Sequence, residues 1–319
     1  MGITTKVIRK MAAEIQPAGI YDSAAMYLMP YVGGKMGKSY DGIMDESISG
    51  EAFKDIPQQG PRRVMSDGLG FQIDPTSSEI LLEALFGNNT AGVFTLGNNA
   101  TVLSIATYDG VNSHNKYANV FFKKGIIKGA VGSNITLDAE TIGETDEDRT
   151  SDAFPTVTGY GEPFTFHEAG GTTGFVRVGN ADDALAAGDN IEIEDFSFEM
   201  DNGFDHQHCN VGIGILTPLF GMAPPSVGGS FTVARHDTDQ WLTWAEDHTP
   251  LQMSVYIYKS ATASLLIEIP RFIIKADISD DDTTKVAVAM EIGRNGTGTS
   301  YANSNMEFTS PIRATLVNA

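Results

Sequence analysis

The 319-residue sequence contains one cysteine, Cys209, and no run of 18 apolar residues. A single cysteine cannot form an internal disulfide, so the fold does not depend on an oxidising compartment. A membrane-spanning helix needs a long apolar run, so we expect no membrane partner. The N-terminal stretch 1–19 also lacks the apolar core of a signal peptide. These absences argue against a secreted adhesin.

Basic residues are scarce as well, since 21 Lys and Arg face 41 Asp and Glu and give a formal net charge of −20. Such a chain is not expected to bind nucleic acid by counterion release, which needs clustered basic side chains. Residues 129–205 hold 18 acidic residues against Arg149 and Arg177, a balance of −16, whereas the rest of the chain has 23 acids and 19 bases, a balance of −4. This concentration indicates either one negative surface or a device for solubility.

Alternating apolar and polar residues predict antiparallel strands with one buried face. The clearest runs are 191–200, 253–258, 265–270 and 285–293. Glycine and aspartate turns separate the runs, and the chain contains 34 glycines. The sequence therefore predicts a mainly β protein.

A first helix is predicted after Asp74, because Thr76 and Glu79 have the spacing of a capping box. Apolar residues then recur at helical spacing until Gly87, which favours a helix end. The helix is therefore expected to present one apolar face to a β core.

A second helix is predicted from about Asp237, with an apolar face made of Trp241, Leu242, Trp244 and Ala245. A short third helix is predicted around 6–15. The first 60 residues otherwise contain many glycines and little periodicity. We interpret 1–60 as an N-terminal arm, ordered either against a neighbouring subunit or loosely on its own subunit.

An internal repeat joins two parts of the chain. Residues 68–85 resemble 228–245 at a constant offset of 160, and both contain a glycine, a strand, a polar turn and a helix. Residues 121–140 then resemble 270–291, where the tripeptide 126–128 (IIK) recurs at 273–275. The repeat predicts two similar units, at 61–155 and 156–319. Chance similarity between two strand–helix patterns is the alternative.

No catalytic, cofactor-binding or metal site is predicted. The segment 205–209 (DHQHC) offers His206, His208 and Cys209 as ligands, but no second cluster has zinc-site spacing, so a polar loop is preferred. The acidic run 144–152 lacks the pattern of a calcium loop and is expected to be a solvated loop. A β-sandwich hydrolase that uses the DHQHC segment is therefore only a minor alternative.

Three segments, in this order, resemble the tail tube (major tail) proteins of long-tailed bacteriophages. The first contains a basic pair, a strand and an LLEALFG helix, the second a strand that ends in an Asn-Gly turn, and the third a further strand and helix. They span 60–89, 163–169 with 191–205, and 228–257 with the closing strands. The resemblance covers about 40–319, and the stretch 217–229 departs from it.

The resemblance implies a virion structural protein and not an enzyme. It implies a mainly β fold, here with two similar β-sandwich units that each carry one flanking helix. Subunits would form rings, and the rings would stack into a hollow tube through which DNA passes at genome ejection without specific binding. Strands of neighbouring subunits would complete a barrel around the lumen, which removes free strand edges. A capsid-decorating or tail-tip protein is the alternative.

The resemblance also implies a location in the virion tail after assembly in the host cytoplasm, with tape measure, tail terminator and distal tail proteins as partners. If each repeat is one tube unit, three subunits would supply six units per ring, and a ring of six subunits is the alternative. A negative wall would repel DNA phosphates. The acidic residues that we expect to face the lumen are Asp138, Glu140, Glu192, Glu194 and Glu199.

Overall fold

The computed structural model describes the chain over thirteen ranges. They are 10–16, 21–34, 36–43, 58–97, 101–108, 114–150, 153–169, 173–210, 215–219, 225–234, 238–275, 285–292 and 310–318. Within these ranges the protein is mainly β, as the alternating pattern predicts, and it contains two α-helices. Neither helix is long and apolar enough to cross a membrane.

The helices are α1 (Ser78–Phe86) and α2 (Thr238–Glu246). In chain order, the strands of the described ranges are β1 (Lys10–Ile15), β2 (Tyr27–Leu28), β3 (Tyr31–Gly33), β4 (Met36–Ile43), β5 (Gln58–Gln72), β6 (Gly87–Thr90), β7 (Val93–Leu96), β8 (Leu103–Tyr108), β9 (His114–Ala130), β10 (Thr136–Thr150), β11 (Phe175–Asn180), β12 (Ile193–Asp201), β13 (Asp205–Asn210), β14 (Ile215–Leu219), β15 (Ser226–Ala234), β16 (Leu251–Ser260), β17 (Ala263–Ile274), β18 (Lys285–Glu291) and β19 (Arg313–Asn318).

Two antiparallel ladders lie side by side in the larger sheet. In the first ladder, β5 pairs with β3 and β4 on one side and with β10 on the other, and β10 pairs with β9. In the second ladder, β15 lies between β12 and β18, and β18 pairs with the end of β17. The last strand of the first ladder, β9, pairs with the first strand of the second, β12. The two ladders therefore form one continuous surface.

A second sheet has the strand order β11-β16-β17-β19-β7-β6. Strand β17 belongs to both sheets, because its first part pairs with β16 and β19 and its end pairs with β18. The first half of β9 also carries β8, which pairs with β1. Strands from 61–155 and from 156–319 thus contribute to both sheets.

The core fills the space between the sheets and the two helices. Its largest fully buried side chains are aromatic, and Phe196 stacks on Phe198 with ring centroids 5.0 Å apart. Phe231 meets Trp241 of α2 edge to face at 5.5 Å. Buried side chains of both ladders belong to one hydrophobic cluster, so the larger sheet has one face committed to the core.

The start of α1 differs from the predicted capping box. The buried carboxylate of Asp74 accepts hydrogen bonds from the backbone N–H groups of Thr76, at 2.7 Å, and Ser77, at 2.9 Å. Ser77, directly before the helix, makes no side-chain hydrogen bond that caps the helix. The predicted capping box of Thr76 and Glu79 is therefore wrong. A charged acceptor just ahead of the helix satisfies these donors better than a threonine hydroxyl. The predicted end at Gly87 is confirmed, with a left-handed φ of 84°.

The second helix is confirmed, but its predicted apolar face is too wide. Trp241 and Ala245 are buried, whereas Leu242 is 38% exposed. Helix α2 packs on β17 through a narrow face, and Leu242 lies about 100° around the helix from Trp241. Its counterpart in the repeat, Leu82, is fully buried because α1 contacts strands on several sides. The offset of 160 predicts that Leu82 and Leu242 pack in the same way, and this prediction is wrong.

Three segments predicted to be helix or loop are strands. Residues 10–15 form β1, 144–150 continue β10 opposite β9, and the DHQHC segment forms most of β13, opposite β14. In each case backbone pairing with another strand decides the conformation; the partner of β1 lies far along the chain, whereas β10 and β13 pair with the strands next to them in the chain. The side chains of 144–150 and 205–210 lie outside the described part of the structure.

Candidate functional surface

The two ladders of the larger sheet have one face in the core and one face turned to solvent. The solvent side, which we name the acidic face, carries alternate residues of the two ladders, all exposed or half-buried. They are Lys124, Ile126, Lys128, Thr136, Asp138, Glu140, Asp195, Ser197, Glu199, Asp201, Ser230, Thr232, Arg271, Ile273, Lys275, Ala287, Ala289 and Glu291. Among the side chains that the structure describes, six carboxylates therefore accompany four basic side chains on this face.

Strand β9 provides the centre of the acidic face. Asp138 of β10 and Glu199 of β12 both lie opposite Ile126, one on each side of β9. Lys124 Nζ lies 2.7 Å from Glu199 Oε1, and Lys128 forms an ion pair with Asp138. Two of the carboxylates are thus partly neutralised by lysines from the strand between them.

The environment of Lys124 is strongly acidic. A hydrogen bond with Glu199 raises the pKa of Lys124 above its ordinary value, and the charges of Glu199, Glu140 and Asp201 act in the same direction. Partial burial opposes this shift. The ammonium group of Lys124 therefore stays protonated over the whole neutral range.

Three of the five residues expected to face the lumen lie together on this surface. They are Asp138, Glu140 and Glu199, which lie opposite Ile126 or two positions from it on β9. Glu192 precedes β12 instead of belonging to it, and Glu194 lies at a register shift between Ile193 and Asp195. The structure thus brings three of the candidates into one patch and leaves two at its end.

The register shift in β12 corrects the prediction of one unbroken alternation over 191–200. Apolar residues occupy odd positions in 191–193 and even positions in 196–200, so the pattern changes phase. The bulge accommodates the change, because an extra residue keeps Ile193 and Phe196 both on the core side. The phase change was visible in the sequence and was a signal of this bulge.

Glycines on the core side of β9 allow close packing beneath the acidic face. A Cβ atom at Gly125 would lie 2.5 Å from Leu85 Cδ1, and one at Gly129 would lie 2.6 Å from Ile135 Cδ1. Both distances are shorter than van der Waals contact, so α1 and the aromatic core approach β9 only because no side chain is present.

Asn202, directly after β12, connects three elements. Its buried side-chain amide donates to the carbonyl oxygens of Leu85, at 3.0 Å, and Phe122, at 2.9 Å. Its backbone N–H donates to the carbonyl oxygen of Lys123, at 2.8 Å. The sequence indicated only a turn here, because no local pattern shows that the amide reaches the end of α1.

The sequence reasoning also missed the lysines of β9. Their spacing around Ile126 was a usable signal, since alternate residues of a strand share one face. A hairpin between 121–130 and 136–140 would then have placed Lys128 near Asp138. The prediction considered acidic residues alone and therefore described a more uniform negative surface than the structure contains.

No group of three or more metal-binding side chains occurs among the residues whose side chains are described. The side chains of His206, His208 and Cys209 lie outside that set. The charged side chains of the acidic face are spread over five strands of the two ladders.

Comparison with known proteins gives one family. A family model described as phage tail tube protein matches residues 45–308. This range includes both helices and the strands of the acidic face from β5 to β18. No curated protein shows a significant sequence match to the chain.

Proposed function

Because the chain belongs to the phage tail tube protein family and is a structural protein of the virion tail, we propose that it forms stacked rings that enclose the path of the phage genome. The family is one of structural and not catalytic proteins. In this proposal the protein acts through its shape and surface charge, and DNA passes without specific binding.

The acidic face lines the lumen in the proposed tube. The observation that carries this orientation is the continuous surface of the two ladders, one side of which is committed to the core. A lumen wall must be hydrated and must not hold DNA, and carboxylates repel phosphates. Residues Asp138, Glu140 and Glu199 then face the lumen, and Glu192 and Glu194 lie at one end of this surface.

The lysines on this face reduce the repulsion between the wall and DNA phosphates but do not turn it into attraction. Lys124 and Lys128 are each held against a carboxylate, so neither presents an isolated positive charge to passing DNA. Among the described side chains of the face, the six carboxylates still exceed the four basic groups. A weakly negative wall favours passage of DNA over retention.

Three protomers form each ring in this proposal. The two ladders have the same strand order. In each ladder the strand before a helix, β5 or β15, pairs with the second strand of a later hairpin, β10 or β18. If both descend from one duplicated unit, three protomers supply six units and a pseudo-sixfold ring. Six protomers per ring would require each chain to act as a single unit.

Assembly takes place in the host cytoplasm in this proposal. The tape measure protein would occupy the growing lumen, and the tail terminator and distal tail proteins would contact the ends of the tube. Only the tail location follows from the family itself.

The test is polymerisation of the purified full-length protein at high concentration, viewed by cryo-electron microscopy. We expect long hollow filaments built from stacked rings. A protein that remains monomeric at every concentration and ionic strength would instead fit a capsid-decorating or tail-tip component.

A further inference from the structure

We infer that protomers join by pairing the end of β17 with β3 of the next protomer, so that this interface repeats the β9–β12 junction found inside each chain. The inference rests on the proposed ring assembly. The partner is a second copy of this chain, and the contact is backbone pairing along two strand edges.

The internal junction shows how one ladder joins the next. Residues 124–130 of β9 pair with 195–201 of β12 in an antiparallel register of seven residue pairs. Hydrogen bonds extend the junction at both ends, from Val131 N–H to the Glu194 carbonyl at 2.9 Å and from Asn202 N–H to the Lys123 carbonyl at 2.8 Å. The last strand of one ladder thus receives the first strand of another.

Strand β17 repeats the sequence and the pairing of β9. The segment 271–275 (RFIIK) corresponds to 124–128 (KGIIK), with basic residues at both ends and a core-facing isoleucine at Ile274 and Ile127. The preceding strand pairs with the first part of each, β8 with β9 and β16 with β17. The following strand also pairs with each, β10 with β9 and β18 with β17.

Among the strands that the structure describes, none pairs with one edge of β17 at its end. Phe272 pairs with β16 and the next residue, Ile273, pairs with β18. Two strands cannot occupy one edge at successive residues, since neighbouring strands need about 4.8 Å of separation, so β16 and β18 lie on opposite edges. Beyond Phe272, no described strand continues the β16 edge. This is the edge on which β9 carries β12.

The direction of the backbone groups agrees with this assignment. Lys275 donates its N–H to the Ala289 carbonyl of β18 at 3.0 Å. Alternate residues of an antiparallel strand direct their polar groups to opposite edges, so Ile274 directs its N–H and C=O to the open edge. By the same alternation from Val131 and Lys123, Ile127 directs its polar groups to β12.

Strand β3 has the complementary open edge. Tyr31 of β3 lies opposite Phe71 of β5, just as Phe196 of β12 lies opposite Phe231 of β15. The other edge of β12 carries β9, whereas no described strand pairs with the other edge of β3, where the Tyr31 N–H donates to the Met29 carbonyl at 2.8 Å. Val32, on this strand, is 62% exposed. Open edges with exposed apolar side chains are normally covered in native assemblies.

The two open edges lie at opposite ends of the same series of strands. Because the two edges differ from each other, a contact between them is head to tail. Such a contact closes into a ring when the rotation from one protomer to the next divides a full turn. Since the contact would repeat the internal junction, every ladder in the ring would have equivalent neighbours. The series of strands from β3 to β17 would then have no unpaired end in the ring.

A disulfide between engineered cysteines tests the pairing. In the internal junction Lys128 lies opposite Ser197. The counterpart of Lys128 is Lys275, and the counterpart of Ser197 is Gly33, where an added Cβ would meet no atom within 4 Å. The test protein is therefore Gly33→Cys with Lys275→Cys in a Cys209→Ser background.

Oxidised filaments of this protein are expected to give covalent oligomers that end at three protomers on a non-reducing gel and return to monomers with reductant. The pair Lys128→Cys with Ser197→Cys in the same background is the matched control and should link within one chain. The pair Gly33→Cys with Val131→Cys, both at accessible positions, should not link protomers.

The outcomes separate this inference from the ring proposal. Filaments that form without the disulfide would overturn the β3–β17 pairing and leave the tube function intact. A covalent series that ends at six would support the pairing and overturn the three-protomer ring. Failure of the parent Cys209→Ser protein and the wild type to form filaments would overturn both.

Discussion

At the scale of single residues, side chains on the acidic face and beneath it have different energetic roles. The ion pair between Lys124 and Glu199 is partly exposed, and such pairs contribute between about 0 and 1 kcal/mol. Asn202 is buried and satisfies two carbonyl groups. The surface charges therefore serve the function of the face, whereas the buried amide holds the face in position.

For Glu199→Gln we expect a loss of less than about 1 kcal/mol in the free energy of unfolding at neutral pH. The folded-state pKa of Lys124 is raised, so the contribution of the pair is fully present below the unfolded pKa of about 10.4 and is lost as pH rises through the folded value. Urea unfolding at several pH values measures this, with Glu192→Gln as control. If the difference in unfolding free energy between the wild type and Glu199→Gln disappeared between pH 6 and 9, the assignment of that difference to the Lys124–Glu199 pair would be contradicted.

For Asn202→Ala we expect a larger loss, about 1–3 kcal/mol, because the carbonyl groups of Leu85 and Phe122 would remain buried without this donor. The exposed Asn190→Ala is the control and should change stability by less than about 0.5 kcal/mol. Equal effects of the two substitutions in chemical denaturation would show that Asn202 does not connect α1 to β9.

At the scale of elements, alternation predicted the long strands because each has one face in the core. It failed for β1, whose partner β8 lies far along the chain, and for β13, whose polar sequence shows no alternation although it pairs with the next strand, β14. It also failed at the bulge of β12, where two alternating patterns meet out of phase. Helix positions followed from periodicity, but the width of a buried face depends on how many strands surround the helix, as Leu242 and Leu82 show.

The candidate surface was predicted in part for the same reason. Acidic residues could be counted from the sequence, and alternation placed Asp138, Glu140 and Glu199 on the solvent side of strands. Their neighbours across the sheet could not be found without the ladder register, so the ion pairs of Lys124 and Lys128 were missed. The number of acidic residues therefore predicts a charged surface, whereas strand pairing determines which charged side chains are neighbours on it.

The close packing beneath β9 gives a prediction at this scale. Gly129→Ala should destabilise the protein by about 1–3 kcal/mol, because its Cβ would lie 2.6 Å from Ile135 Cδ1 and 2.9 Å from Phe196 Cε1. Gly228→Ala is the matched strand control, since a Cβ there meets no atom within 4 Å. Thermal unfolding measures the stability of both variants. Equal melting temperatures for Gly129→Ala and Gly228→Ala would contradict the packing argument.

At the scale of the whole molecule, the two ladders, the junction between them and the two open edges suggest one repeated contact. Within a chain it joins β9 to β12. Between chains we propose that it joins β17 to β3. A ring built in this way would place the acidic faces of all protomers on one continuous wall.

The charge of that wall should control DNA retention. Filaments of the variant Asp138→Lys, Glu140→Lys and Glu199→Lys should retain short duplex DNA at low salt and release it as salt rises, because lysines bind phosphates with release of counterions. Wild-type filaments should retain little. The control exchanges the exposed residues Asp182, Glu246 and Asp247 for lysine. Equal retention by both variants in co-sedimentation would place the acidic face outside the lumen.

Helical reconstruction of the filaments by cryo-electron microscopy tests the central claim most directly. We expect three protomers per ring, pseudo-sixfold density around the lumen and the side chains of Asp138, Glu140 and Glu199 on the inner wall. Filaments with these three carboxylates on the outer surface would contradict the proposed orientation of the acidic face.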